Sequence, residues 1–271
     1  MPELPEVETI RKGIKPLVVG KKVRWAFLRS TRLRWSVGVG ELARLTGQQV
    51  VNVERRAKFL IFRFSRNWLV LHMGMTGTLR CVAPGCPPGK HDHFDLVFDD
   101  GSRLRFRDPR KFGGIIFFHD SPFKSPFFSG IGPEPFSKRV DGSYLFNAAR
   151  GKKVAVKIFI MDQRFIAGVG NIYANEALFL SGIRPTCAAG QVTKKNFDLL
   201  AENIRRVLAR AIDAGGTSFR DFYDGEGRPG YFSIQLNVYG KGGEPCPQCG
   251  QRISTVKIGQ RSTFFCSNCQ R

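Results

Sequence analysis

The sequence predicts an α+β protein, and three observations carry that expectation. One amphipathic helix opens the chain, short Phe-rich strand patterns run to about residue 120, and helical periodicity followed by two C-x-x-C pairs fills the rest. With 271 residues, 42% hydrophobic content and 24 Phe, the chain can bury a substantial core, which excludes intrinsic disorder as the default state.

The first element is MPELPEVETIRKGIKPL. Pro5 suits the first helical position, Glu6 and Glu8 fall in the first turn, and Val7, Ile10 and Ile14 mark one face. FLIFRF (59–64), NWLVLHM (67–73), HFDLVF (93–98) and SRLRFR (102–107) follow as strands bounded by turn residues. Asp99-Asp100-Gly101 joins the last two as a hairpin, so Arg103, Arg105 and Arg107 share one face opposite Leu104 and Phe106. On periodicity alone those arginines read as a solvated face. Residues 121–150, with SPFKSPFF and GPEPF, read as a linker, and the sequence attaches no function to its Phe-rich stretch. The clearest helix runs from Thr193 to Asp213, with Phe197, Leu200, Ile204, Leu208 and Ala211 on one stripe. Thr193 is its N-cap and Gly215 lies just past its end.

A formal net charge of +21 exceeds what solubility requires and points to a polyanionic partner, with nucleic acid the first candidate. An acidic membrane surface is the rival. No apolar run approaches the roughly 18 residues of a membrane span, and no signal peptide opens the chain. A monomeric, cytoplasmic protein with no membrane partner, associated with the nucleoid if the source is bacterial, is therefore expected.

Cys246-Pro-Gln-Cys249 and Cys266-Ser-Asn-Cys269 are separated by 16 residues. Each C-x-x-C offers two thiolates from a tight turn, and two such turns complete a tetrahedron around one structural Zn²⁺. A redox dithiol would not call for a second pair at this spacing. The segment between them alternates around Gly259 and reads as a β-hairpin, too small to bury a core, so the metal supplies its folding energy. Four thiolates leave no open position, and no catalytic metal is expected. Cys81, Cys86 and Cys187 lack such a pattern and read as reduced thiols.

Pro2 invites removal of Met1, which leaves a secondary amine at the chain end. Attack of that amine on an aldehydic carbon gives an iminium, an electron sink that acidifies the adjacent C–H and permits elimination. A helix N-terminus and a cationic groove both disfavour the protonated amine, and Glu3 stands beside it to move protons. Taken alone, PELPE signifies only a processed start followed by a helix.

Read together, the motifs resemble the formamidopyrimidine-DNA glycosylase family along nearly the whole chain. The matching stretches are MPELPEVET (1–9), RRAKFL (55–60), HMGMTG (72–77), KHDHFDLVF (90–98), DPRKFGG (108–114), GVGNIYANEALF (168–179) and the cysteine finger (246–269). The resemblance implies an N-terminal β-sandwich at 1–120 behind its helix and, past the linker at 121–150, a helix–two-turns–helix DNA-binding domain at 151–235. A β-hairpin zinc finger at 236–271 completes the chain. Damaged double-stranded DNA would lie in the cleft between the domains.

By the same resemblance Pro2 is the Schiff-base nucleophile at C1′, Glu3 donates a proton to the deoxyribose, and Lys58 contacts phosphate and assists elimination. Arg261 grips phosphates and is linked with the second elimination. Without the family, Lys58 would read as a solvated strand lysine. An enzyme acting on a base within a duplex must extrude it and fill the gap. Met75, Arg110 and Phe112 match the inserted residues, although Met75 and Phe112 alone would read as core. His91, Lys152 and Asn171 match backbone contacts, and the base-gripping loop falls within 217–230. The resemblance thus implies a glycosylase/AP lyase for oxidised purines. Two alternatives stand beside it: an endonuclease VIII-type enzyme for oxidised pyrimidines, disfavoured by Leu4, and a non-catalytic damage-binding protein, disfavoured by the intact Pro2, Glu3 and Lys58. A zinc-dependent nuclease fails because four cysteines saturate the metal.

Overall fold

The computed structural model describes residues 2–30, 32–35, 37–215 and 236–271. The base-gripping loop expected within 217–230 lies outside them. The chain divides into two compact units, one running to Ser129 and the other containing Gly130–Asp213 and the described residues from 236 onward.

The first unit opens with α1 (Leu4–Val18), which begins one residue earlier than the sequence suggests. Glu3 is its N-cap. A reciprocal capping box joins Glu3 and Glu6: the Glu3 side chain accepts from the Glu6 N–H, and the Glu3 N–H donates to Glu6 Oε2 at 2.8 Å. Val7, Ile10, Ile14 and Val18 face the core, as the periodicity requires. Two four-stranded sheets follow. One has the order β1-β6-β7-β5, from β1 (Val23–Leu28), β5 (Thr78–Val82), β6 (Asp92–Phe98) and β7 (Arg103–Arg107). The other has the order β2-β3-β4-β8, from β2 (Val50–Arg56), β3 (Phe59–Phe64), β4 (Trp68–His72) and β8 (Gly114–Phe118). A short helix, α2 (Val39–Ala43), lies between β1 and β2. Every pairing is antiparallel. Leu60, Phe62 and Leu71 from one sheet share a single apolar cluster with Phe94, Leu104 and Phe106 from the other, and this is the core of a β-sandwich.

The arginine face of β7 is a correction to the sequence reading. Arg105 is 0% exposed, opposite Asp95, which is 1% exposed. Its Nε and Nη2 grip the two carboxylate oxygens at 2.8 and 2.9 Å, while Nη1 and Nη2 donate to the Pro87 and Cys86 carbonyls at 2.8 and 3.0 Å. Arg29 adds a third bond to Asp95 at 2.6 Å. A loop from the chain itself covers this face, which period-two reasoning cannot see. Burial alone would raise the Asp95 pKa, but the bonds from Arg105 and Arg29 outweigh it and hold the carboxyl below its ordinary range. That stabilisation is present above the unfolded Asp pKa and is lost as pH falls through the folded value. Asp95→Ala is expected to cost about 3–5 kcal/mol, because it strands a buried guanidinium. Denaturant unfolding checks this, and a loss below about 1 kcal/mol would show the guanidinium satisfied without its carboxylate.

The stretch 121–150, expected as a linker, is largely ordered structure. Pro122–Lys124 form a 3₁₀ turn, followed by α3 (Pro126–Ser129) and α4 (Gly142–Ala149). Its phenylalanines have a clear purpose. Phe127 packs edge-on against Trp35, Phe59 and Phe128 with centroids 5.1–5.5 Å apart, and Phe123 meets Trp68 at 5.9 Å. The segment thereby covers the outer side of the β3–β4 ladder.

The second unit also contains α5 (Val156–Met161), α6 (Asn171–Leu180) and α7 (Lys194–Asp213), with α7 packed on α4 and α6. Thr193 Oγ1 accepts from the Asn196 N–H at 3.2 Å, which is the N-cap expected of it, and Gly215 follows the helix at φ +79°. The finger hairpin pairs β9 (Ser254–Ile258) with β10 (Arg261–Phe265). Gly259 and Gln260 both have positive φ (+53° and +62°), as a two-residue type I′ turn demands. Among the described residues, no helix is long and apolar enough to cross a membrane.

Candidate active site and nucleic-acid interface

In the first unit, Pro2 is half-buried and immediately precedes the N-cap, Glu3, which is 1% exposed. Lys58 is 8% exposed and occupies the second position of the Ala57-Lys58 turn between β2 and β3. It is not the solvated strand lysine that the residue alone suggests. Helix α1, which follows Pro2 and Glu3, packs on β2 and β3 of the sheet that bears this turn and on β5 of the other.

Beside Lys58 stands His72, paired with Phe59 across the β3–β4 ladder. Burial first, and then the cations of Lys58 and Arg34, push the His72 pKa down to about 4. The neutral ring accepts the Gly74 N–H on Nδ1 at 3.1 Å, so the remaining proton belongs on Nε2. This bond shapes the turn bearing Met75, which is half-buried. Gly74 has φ +64°, and a Cβ there would clash with the Phe112 and Gly113 backbone, so only glycine lets the two loops meet. HMGMTG and DPRKFGG therefore lie side by side.

Asp108, which is 0% exposed, organises the second of these loops. Its carboxylate accepts from Thr76 Oγ1 at 2.7 Å, the Gly113 N–H at 2.7 Å and the Arg110 N–H at 3.2 Å. Arg110 and Phe112 are exposed, with the guanidinium 4.7 Å above the Phe112 ring. The Asp108 N–H donates to the His91 carbonyl at 3.0 Å, which brings His91 to the same loop. His93 Nε2 bonds the Asp108 carbonyl at 2.9 Å, and Asp92 pairs with Arg105, so the Asp92 and His93 side chains serve structure.

In the second unit, Asn171 is the first residue of α6 and its Nδ2 donates to the Ser262 carbonyl at 3.1 Å. That bond ties the helix terminus to the residue after Arg261, which is exposed at the start of β10. Lys152 is half-buried with Nζ 4.7 Å over the Phe165 ring, on the rim of a pocket also lined by Lys153, Asp162 and Arg164.

Three residues that sequence reasoning missed hold this unit together. Lys157, fully buried on α5, donates from Nζ to the Ser262 carbonyl at 3.1 Å and to Thr263 Oγ1 at 2.6 Å. Asn175 Oδ1 accepts the Phe264 N–H at 2.8 Å. Glu176 accepts the N–H groups of Asn237, Val238 and Tyr239 at 2.8–2.9 Å. A lysine and a glutamate inside the apolar runs AVKIFIM and NEALF were the available signals.

The four finger cysteines converge, with one sulfur from each lying within 4.8 Å of the others. Cys246 and Cys249 come from one knuckle and Cys266 and Cys269 from the other, a donor set that suits tetrahedral Zn²⁺. The hairpin tip is seated by Gly259, where a Cβ would lie 2.7 Å from Ile158 Cδ1 on α5.

Comparison with known proteins agrees with this architecture along the whole chain. Residues 1–115 match the formamidopyrimidine-DNA glycosylase N-terminal domain, 131–223 its H2TH domain, and 243–271 the zinc finger found in FPG and IleRS. The formamidopyrimidine-DNA glycosylases of Syntrophotalea carbinolica and Pectobacterium carotovorum are 50% and 48% identical over 271 residues, covering 100% of both chains in each case. Among solved structures, the MutM (Fpg) protein of Thermus thermophilus superposes with a TM-score of 0.88 at 36% identity over 99% of this chain and 98% of its own. The Lactococcus lactis Fpg in complex with DNA containing an abasic site gives 0.89 at 33% identity, and its complex with N7-benzyl-Fapy-dG DNA gives 0.89 at 34%, both over 100% of each chain. The sandwich, the helical unit and the four-cysteine finger, matched in order at this identity, make the chain a member of the formamidopyrimidine-DNA glycosylase family.

Proposed function

We propose that Pro2, freed by removal of Met1, is the nucleophile of this DNA glycosylase with AP lyase activity, which excises oxidised purines in base-excision repair. The observation that carries the reading is the half-buried Pro2 directly before the buried N-cap Glu3, in a chain of this family. The net charge of +21 suits a DNA substrate, and the Lactococcus relative is bound to damaged DNA.

The chemistry follows from the amine. Its lone pair attacks C1′ of the damaged nucleotide, the N-glycosyl bond breaks, and the base leaves with the bonding electrons and a proton. Glu3 protonates the ring oxygen as the sugar opens to a C1′ iminium. Loss of a C2′ proton expels the 3′ phosphate, and a second elimination expels the 5′ phosphate. Lys58 and Arg261 assist these eliminations, Lys58 from the β2–β3 turn and Arg261 from the finger tip. Zn²⁺ held by Cys246, Cys249, Cys266 and Cys269 shapes the finger and takes no part in these steps, because four thiolates fill its coordination shell. Met75 and Phe112 fill the space left by the extruded base, and Arg110 probes the orphaned partner. His91, Lys152 and Asn171 bind the backbone.

Lesion and opposite-base preference test the reading of Arg110. Excision of 8-oxoguanine opposite cytosine, and of ring-opened purines, is expected to run much faster than excision of thymine glycol. A guanidinium can bond the O2 and N3 acceptors of cytosine, and one well-placed pair discriminates by about 1–3 kcal/mol, or roughly 5- to 150-fold. Single-turnover excision on duplexes that differ only in lesion or opposite base measures this. Arg110→Ala should erase the preference for cytosine; unchanged selectivity would remove Arg110 from that role, and faster release of thymine glycol would overturn the purine specificity.

A further inference from the structure

Glu8 lies in α1 shortly after the N-cap, and two guanidiniums hold its carboxylate. Arg11, on the same helix, clasps it through Nε at 3.0 Å and Nη2 at 2.6 Å. Arg55, near the end of β2, reaches the same carboxylate through Nε at 3.1 Å. From its other edge, Arg55 Nη1 donates to the Ala57 carbonyl at 2.9 Å. Ala57 has φ +53°, an unfavourable region for a residue with a Cβ, and it is the first residue of the turn whose second residue is Lys58. One planar group therefore links the helix that follows Pro2 and Glu3 to the turn that carries Lys58.

An ordinary surface pair within a helix would need only Glu8 and Arg11, three residues apart. The Arg55 bridge differs in joining two elements 47 residues apart, and the side chains of Arg55 and Glu8 are only 11% and 14% exposed. Burial would raise the Glu8 pKa, but Arg11 and Arg55 outweigh it and hold the carboxyl below its usual range, so Glu8 is charged at neutral pH. The guanidinium fork has two edges, and each is used. A lysine ammonium carries its donors on one atom and lacks the planar span that holds Glu8 at Nε and the Ala57 carbonyl at Nη1.

We infer that Arg55, seated on Glu8, is a positioning residue for the elimination chemistry: it fixes the Lys58 turn relative to the amino-terminal end of α1. The inference rests on the roles proposed above for Pro2 and Lys58.

The test uses the full-length, zinc-loaded protein with a free Pro2 and an abasic-site duplex at saturating enzyme. Arg55→Lys is expected to slow strand cleavage about 10- to 100-fold, as displacement of a reacting group by about 1 Å does, while duplex affinity stays within about threefold. Glu8→Gln, which keeps an acceptor and loses the charge, gives a second, milder variant should Arg55→Lys fold poorly by melting temperature. The Glu8→Gln/Arg55→Lys double variant should be no slower than Arg55→Lys alone, since the two residues act as one unit. The decisive arm is the Lys58→Ala background, in which Arg55→Lys should add nothing further. Cleavage at the parent rate in both single variants, or equal slowing by Arg55→Lys with and without Lys58, would overturn the inference. Failure of the underlying reading has a different signature: the parent enzyme's borohydride adduct would map away from Pro2, or Lys58→Ala would cleave at the parent rate.

Discussion

Protein that retains Met1 is expected to lose strand cleavage at abasic sites by on the order of 10³-fold or more. Retention turns the Pro2 nitrogen into a tertiary amide whose lone pair is delocalised into the carbonyl, so it can neither attack C1′ nor form an iminium. No other change is needed. Glu3 and Glu6 would still cap α1, because their reciprocal bonds use the Glu3 backbone and not the chain end. Duplex affinity should therefore survive where chemistry does not. Pro2→Gly, processed normally, ends in a primary amine and should keep part of the lyase activity. Gel-resolved cleavage with processed, Met1-retaining and Pro2→Gly proteins, each checked by intact mass, measures the effect. Cleavage by the Met1-retaining protein at the processed rate would place the nucleophile elsewhere.

Removal of zinc is expected to unfold the finger and leave the sandwich intact. The cores are separate: the cluster around the finger holds Phe179, Val238, Cys246, Ile253 and Cys266, whereas the sandwich core draws only on residues from Val7 to Phe117. Two of the finger cluster's five buried members are themselves zinc ligands, so little apolar packing remains once the thiolates are free. The bonds from Lys157 and Asn175 to β10 would then lack a formed hairpin to hold, and Arg261 would lose its place. At least about tenfold loss of duplex affinity should follow, the worth of one charge-assisted contact. Elemental analysis should give one zinc per chain. Chelation or Cys249→Ser, followed by DNA titration and circular dichroism, checks the rest. A metal-free preparation with full affinity would refute the account.

Features set by neighbours in sequence were legible without coordinates. The two C-x-x-C pairs, the four strand segments and the stripe from Phe197 to Ala211 all stand where periodicity and spacing put them. Features set by distant chain segments were not. Arg105 looked solvated because nothing in SRLRFR announces that Cys86 and Pro87 lie over it. The phenylalanines of 121–150 looked purposeless because their partners, Trp35 and Phe59, lie far upstream. The capping role of Glu3 was not read from the sequence, where Pro5 drew the expected helix start one residue too far along. Candidate residues such as Lys58 and Arg261 came from resemblance to a family. Their residue types alone carried no chemistry.

The most direct measurement is borohydride trapping on an 8-oxoguanine:cytosine duplex, followed by digestion and mass analysis of the peptide linked to DNA. Reduction converts the iminium to a stable amine and so marks the nitrogen that attacked. The adduct is predicted on the amino-terminal peptide, at Pro2, in protein lacking Met1. An adduct on a lysine-bearing peptide, Lys58 above all, in protein with a free Pro2 would contradict the account.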